Sequence, residues 1–167
     1  MKTFLYLNIL LLSFLVIIFT TSKSLSPSEN HNVSESDVNV TYDLPQPDPT
    51  LGPQEVVEIQ ILALQENDMP FKNFGVLTAF NFASPEYKSK KGPEGKFIRM
   101  IHDPNYKSLL DFKIYGLDDI YIINNLALQK VTLIDANDNP AVYLFKLTRQ
   151  VEKPFEGCWM IDSVIKF

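Results

Sequence analysis

One cysteine, two histidines and one tryptophan are all that the 167 residues hold of those three types. Cys158 alone excludes an intrachain disulfide framework and a cysteine-built zinc knuckle. Pairing between chains is the only disulfide left to it, and beside Trp159 it reads as a small buried hydrophobe. His31 falls in a polar stretch, so His102 is the only imidazole of the later chain and a protein-built zinc site lacks ligands. Next to Asp103 and Pro104, His102 takes the place of a solvated or helix-capping residue, and no spacing links it to Cys158 as a nucleophile pair. A glycine-rich phosphate loop and a paired-carboxylate motif are both missing, so no nucleotide cofactor and no metal is expected. Asp135, Asn137 and Asn139 imitate half of a calcium loop. The imitation fails where glycine and a bidentate glutamate are required, because Pro140 and Lys146 stand there.

Positive charge is also short. Lys and Arg number 15 against 20 Asp and Glu, a formal charge of −5. Five of the acids, Glu29, Glu35, Asp37, Asp43 and Asp48, lie between Leu25 and Gly52, where there is no Lys or Arg. From Pro53 onward the balance is 13 basic to 15 acidic residues. Neither part carries the basic footprint that phosphate neutralisation needs, which excludes nucleic acid as a partner. The basic cluster Lys88 to Lys91 reads as a solvated turn.

No apolar run reaches the ~20 residues of a comfortable membrane helix. The longest, Phe4 to Phe19, spans ~16 residues behind Lys2, in the order of a secretory signal. Ser22 and Ser24 suit cleavage before Leu25, and Thr20 and Ser22 suit cleavage before Lys23. An uncleaved anchor is the other outcome, so residues 1–24 are expected to be a signal peptide or signal anchor. Asn32 and Asn39 each open a glycosylation acceptor tripeptide, Asn-Val-Ser and Asn-Val-Thr, in keeping with a secreted or lumenal protein. Residues 25–52 are rich in Ser, Asn, Asp and Pro and poor in apolar surface, the composition of a disordered acidic linker. The membrane is therefore expected only through the N-terminal segment.

A folded domain is expected over 53–167. Pro53 suits a first helical position, and Val57, Ile61 and Leu64 recur at helical spacing up to about Asn67. Asp68 is placed to cap a second helix carrying Phe71, Phe74, Leu77, Phe80 and Phe82, apolar nearly all round. Ser84-Pro85 breaks that pattern, and Pro93 opens a third helix that Pro104 stops. The period then changes. Tyr121–Ile123, Leu126–Ile134, Ala141–Arg149 and Cys158–Ile165 alternate and are rich in β-branched and aromatic residues, with a further strand plausible near Phe112–Tyr115. Helices first and strands after give an α+β fold, three helices on an antiparallel four-stranded sheet.

The segment Gly157-Cys-Trp-Met-Ile-Asp-Ser-Val164 is similar to the tryptophan-bearing last strand of nuclear-transport-factor-2-like domains, the cystatin-like α+β cones. More narrowly, residues 53–167 resemble the family catalogued as domain of unknown function 4864. The matching pieces are Val56–Leu64 with Asp68, Ala79–Pro85, Gly92-Pro93 with Phe97 and Met100, Tyr106–Leu110, Tyr143–Gln150 and the last strand, in that order. The resemblance implies three helices against a strongly curved antiparallel sheet, often dimeric through that sheet, and it implies no activity. Ser163 stands where relatives usually have glycine.

Enzymes of this broad fold hold a carboxylate or tyrosine in the open end of the cone, which makes Asp162, Tyr106, Tyr143 and Arg149 the residues to weigh. Strand alternation puts Asp162 with Met160 and Val164, opposite Trp159 and Ile161. Tyr143, Phe145 and Leu147 form one stripe, and each reads first as core. The expectation is thus a non-enzymatic binding or scaffolding module, with a small apolar ligand in the cone or a protein partner, such as a second copy, across the sheet. Its alternative is a small cofactor-free isomerase or dehydratase.

Overall fold

A computed structural model describes residues 43–167. The expected signal or anchor, most of the expected linker, and the acceptors Asn32 and Asn39 lie outside the described residues. The compact unit Val40–Phe167 contains the whole described core and is therefore able to fold as one body. Among the described residues no helix is long and apolar enough to cross a membrane.

Among the described residues, four helices precede the sheet: α1 Pro53–Gln65, α2 Phe74–Phe82, α3 Pro85–Lys91 and α4 Glu94–Ile101. The Glu55 carboxylate accepts from Gly52 N–H at 2.6 Å and fixes the start of α1. Helix α2 begins later than Asp68 suggested. Asp68 Oδ1 accepts from Asn73 N–H, Asn67 Oδ1 accepts from Val76 N–H, and these polar side chains hold a turn ahead of the helix. The fourth helix is a correction to the expected three. Ser84-Pro85 ends α2 but also starts α3, because Ser84 Oγ accepts from Tyr87 N–H at 3.1 Å and Pro85 fills the first helical position. Lys88, Lys90 and Lys91 form the last turn of this helix instead of a loop.

After a 3₁₀ turn at Lys107–Leu109 come β1 Ile114–Leu117, β2 Tyr121–Ile123, β3 Leu126–Ile134, β4 Pro140–Arg149 and β5 Trp159–Lys166, all antiparallel to their neighbours. The further strand expected near Phe112–Tyr115 is present as β1 and makes five strands with the expected four, yet the sheet is four lanes wide. Strand β1 pairs with Val131–Ile134 and β2 with Leu126–Leu128, so the two share one edge of β3. At the opposite edge Ser84 N–H donates to Ile161 O at 2.8 Å, and the α2–α3 junction covers part of β5.

Alternation sends Ala127, Val131, Leu133, Tyr143, Phe145, Leu147 and Ile161 inward against Val57, Ile61, Val76, Phe82 and Phe97 from the helices. Between Lys146 and Leu147 the β4–β5 register shifts by one and leaves Asp162 without an opposite residue. The bulge corrects the alternation read from sequence. Val164 turns to the helix side with Phe145, which it faces, rather than to the side of Met160.

The last residues of the expected linker lie on the body. Pro45 O accepts from Asn81 Nδ2 at 3.2 Å, Leu51 packs on the core, and Asp48 Oδ1 closes a turn by accepting from Thr50 N–H at 2.8 Å. The packed part of the chain therefore starts ahead of Pro53, held by backbone and proline contacts that composition does not reveal.

Candidate functional site

Between helices and sheet remains a cavity of about 20 Å³, room for about one water. Phe97, Ile101, Leu109, Phe145, Ile161 and Val164 make most of its wall, and Gln60, Tyr87 and Tyr106 bring the polar atoms. Gln60 is engaged, since its Nε2 donates to Val56 O at 3.0 Å. Burial pushes the Tyr87 hydroxyl far above its usual titration range, and the neighbouring Tyr106 phenol adds to the shift. No carboxylate and no imidazole lines this cavity.

Tyr143 lies deeper than a surface acid or base would. Its side chain is fully buried, and its hydroxyl donates to Asn105 O at 3.1 Å while sharing a 2.6 Å hydrogen bond with Ser108 Oγ. Ser108 Oγ also accepts from Lys166 Nζ at 3.1 Å, and that ammonium stands 5.8 Å from the Tyr143 ring centre. Burial raises the Tyr143 pKa, the Ser108 hydrogen bond partly offsets this, and Tyr106 and Asp135 raise it further. The chain Lys166–Ser108–Tyr143–Asn105 ties β5, the 3₁₀ turn and β4 together. Sequence reasoning found Tyr143 but missed Ser108 and Lys166. Fifty-eight positions separate that pair, and only the β4–β5 register brings Lys166 opposite Tyr143.

Of the other weighed residues, His102 and Asp135 border the same surface recess of about 350 Å³ as Ser108 and Lys166, whereas Asp162 and Arg149 lie apart from it. Asp162, at the bulge, accepts from Thr148 Oγ1 at 3.1 Å and faces a separate recess with Glu86, Lys90 and Lys146. Arg149 Nε donates to Gly157 O at 3.0 Å and pins the β4–β5 loop. His102 is the C-cap of α4, its Nε2 3.1 Å from Asn73 Oδ1. Cys158 is buried, and burial, with Asp48 nearby, raises its pKa, so its sulfur is held as the thiol. Asp135 Oδ1 accepts from Asn137 and Asn139 N–H at 2.8 and 2.9 Å, which turns the β3–β4 hairpin. Among the described residues no group of three or more His, Cys, Asp and Glu is placed to hold a metal.

The outer side of the sheet has a different chemistry. Ile114 stands opposite Ile134, Thr132 opposite Val142, and Leu144 opposite Ile165. Ile114, Ile165 and Phe167 are 65%, 52% and 76% exposed, and Ile134, Val142 and Leu144 are half-buried. Ile114, Ile134, Val142, Leu144 and Ile165 thus step diagonally across four adjoining lanes as an apolar band, with Thr132 and the Asp118-paired Lys130 beside it.

No curated protein and no solved structure matches the chain. One family does, over residues 49–166, well over half of the chain. This chain belongs to the family described as Domain of unknown function (DUF4864).

Proposed function

We propose that this chain is a non-enzymatic binding module of the nuclear-transport-factor-2-like kind, exported or membrane-anchored by residues 1–24, whose outer sheet face takes a second copy of itself. The apolar band from Ile114 through Ile134, Val142 and Leu144 to Ile165 carries the reading. Antiparallel sheets tolerate water on one face when that face is polar, and an apolar one gains by being covered. Strands of nine and ten residues at ~3.3 Å, in four lanes ~4.8 Å apart, give a face of roughly 30 by 15 Å in plan. Its side chains bring the accessible area toward the ~800 Å² per partner of a standard interface. A two-fold contact sets this patch against itself, and uncharged apolar residues meeting their own copies are compatible with that arrangement, which argues for a second copy.

The internal cavity, with room for about one water, leaves no room for a substrate inside the cone, and no ionisable carboxylate or imidazole reaches it. Sedimentation of the unit Val40–Phe167 tests the proposal. Ile165→Lys, which places a charge in the band, is expected to convert a concentration-dependent dimer to monomer without loss of helicity. A wild-type unit that stays monomeric at about 1 mM overturns it. Export has its own test. In a secretory host that glycosylates, the mass of the full chain should fall when Asn32→Gln and Asn39→Gln are combined.

A further inference from the structure

A shallow, open recess beside Tyr106 is lined by Lys91, Lys96, Arg99, Met100, Asp103 and Asn105. Tyr106 also borders the internal cavity. Three cations and one carboxylate meet here, and Asp103 already accepts from Asn105 N–H at 3.2 Å. Among the described residues, none of the three cations has an acidic group within ion-pair distance, whereas the adjacent Lys90 is taken by Glu86 at 2.5 Å.

The α3–α4 junction shapes the Lys96 side chain. Gly92, at φ +88°, leaves the space in which Lys96 lies, since a β-carbon there would come 3.0 Å from Lys96 Cδ and 3.8 Å from Nζ. Arg99 Nη1 lies 3.9 Å from where a β-carbon of Gly95 would stand, an ordinary contact, so Gly95 does not shape the position of Arg99. Lys91 is held from another side, its Nζ 5.4 Å from the Tyr87 ring centre. Three cations on one shallow face, with a phenol ring and a thioether beside them, suit a ligand with an anionic head and a short apolar body.

We infer that the recess between α3, α4 and Tyr106 is a binding site for a small organic anion of the medium-chain carboxylate class, with its head among Lys91, Lys96 and Arg99 and its body on Met100 and Tyr106. The guanidinium takes the carboxylate in a planar fork and the two ammonium groups add charge. The site is independent of the outer sheet face, so it stands or falls apart from the proposed self-association.

Titration of the unit Val40–Phe167 with octanoate, followed by NMR shifts and calorimetry, is the test. Octanoate should saturate and move the signals of Met100, Tyr106 and the Gly92 amide. Octanol, which lacks the charge, and inorganic phosphate, which lacks the body, should each bind at least tenfold more weakly. Lys96→Gln with Arg99→Gln should weaken octanoate at least tenfold and leave octanol unchanged, and Lys90→Gln should leave both unchanged. Equal binding of octanol shows a purely apolar site, and equal binding of phosphate a bare anion site; either overturns the inference. So does octanoate binding that the double substitution leaves intact, or binding to phosphatidylglycerol vesicles that octanoate does not displace.

Discussion

Gly75→Ala sets two physical effects of opposite sign against each other, and the packing of α1 on α2 decides between them. Position 75 lies inside α2, where alanine is favoured over glycine by ~0.5–1 kcal/mol. A β-carbon there, however, would press into the Ala63 carbonyl oxygen and come within 2.7 Å of the Ala63 carbonyl carbon and 2.9 Å of Leu64 Cα. Carbon pairs rest at ~3.5–4 Å, so α1 would have to retreat by on the order of 1 Å along a backbone contact that no rotamer relieves. Such overpacking costs ~1–3 kcal/mol, and the shift also strains the Gly75 N–H bond to Asn67 O, now 3.0 Å. The net expectation is a loss of about 2 kcal/mol. Urea unfolding of the unit Val40–Phe167 reports it through Trp159, the chain's one tryptophan, as a lower midpoint at an unchanged slope. Gly95→Ala in α4 is the control, because its β-carbon would meet only Arg99 Nη1 at 3.9 Å and should stabilise by ~0.5–1 kcal/mol. If Gly75→Ala stabilises as Gly95→Ala does, the close approach of α1 and α2 is refuted.

Tyr143→Phe removes the hydroxyl shared by Asn105 O and Ser108 Oγ and should cost ~1–2 kcal/mol in the same assay, with little further loss when Ser108→Ala is added. Cys158 makes stability fall with alkali. Its folded pKa is raised by burial, so its contribution is complete below the unfolded pKa of ~8.5 and declines as pH climbs from there through the folded value. Urea midpoints should be level up to about pH 8 and drop by pH 9.5, and Cys158→Ala should flatten that drop. Thiol reagents should label Cys158 slowly in the folded unit and quickly in urea.

Much of this architecture was legible because periodicity is a one-dimensional trace of burial. Val57, Ile61 and Leu64 at helical spacing, and Tyr143, Phe145 and Leu147 at alternate positions, name the inner faces of α1 and β4 without any knowledge of their partners. What escaped depends on tertiary context. Ser84-Pro85 carries the same signal for ending one helix and opening the next, and only the bond from Tyr87 N–H to Ser84 Oγ distinguishes them. The Asp162 bulge has no residue signature, yet it moves Val164 to the other side of β5. The candidate sites were less legible still. Lys166 meets Ser108 across the fold, and the outer apolar band is assembled from four strands, each of which alternates by itself like any half-buried strand.

The proposed second copy would cover the outer face of the sheet. Isotope-filtered NMR on an equal mixture of labelled and unlabelled unit Val40–Phe167 reads that contact directly. Cross-copy contacts are expected from the methyl groups of Val142, Leu144 and Ile165, lost on Ile165→Lys. Methyl groups that show no cross-copy contact at about 1 mM, in a unit that tumbles as a monomer, would contradict that proposal.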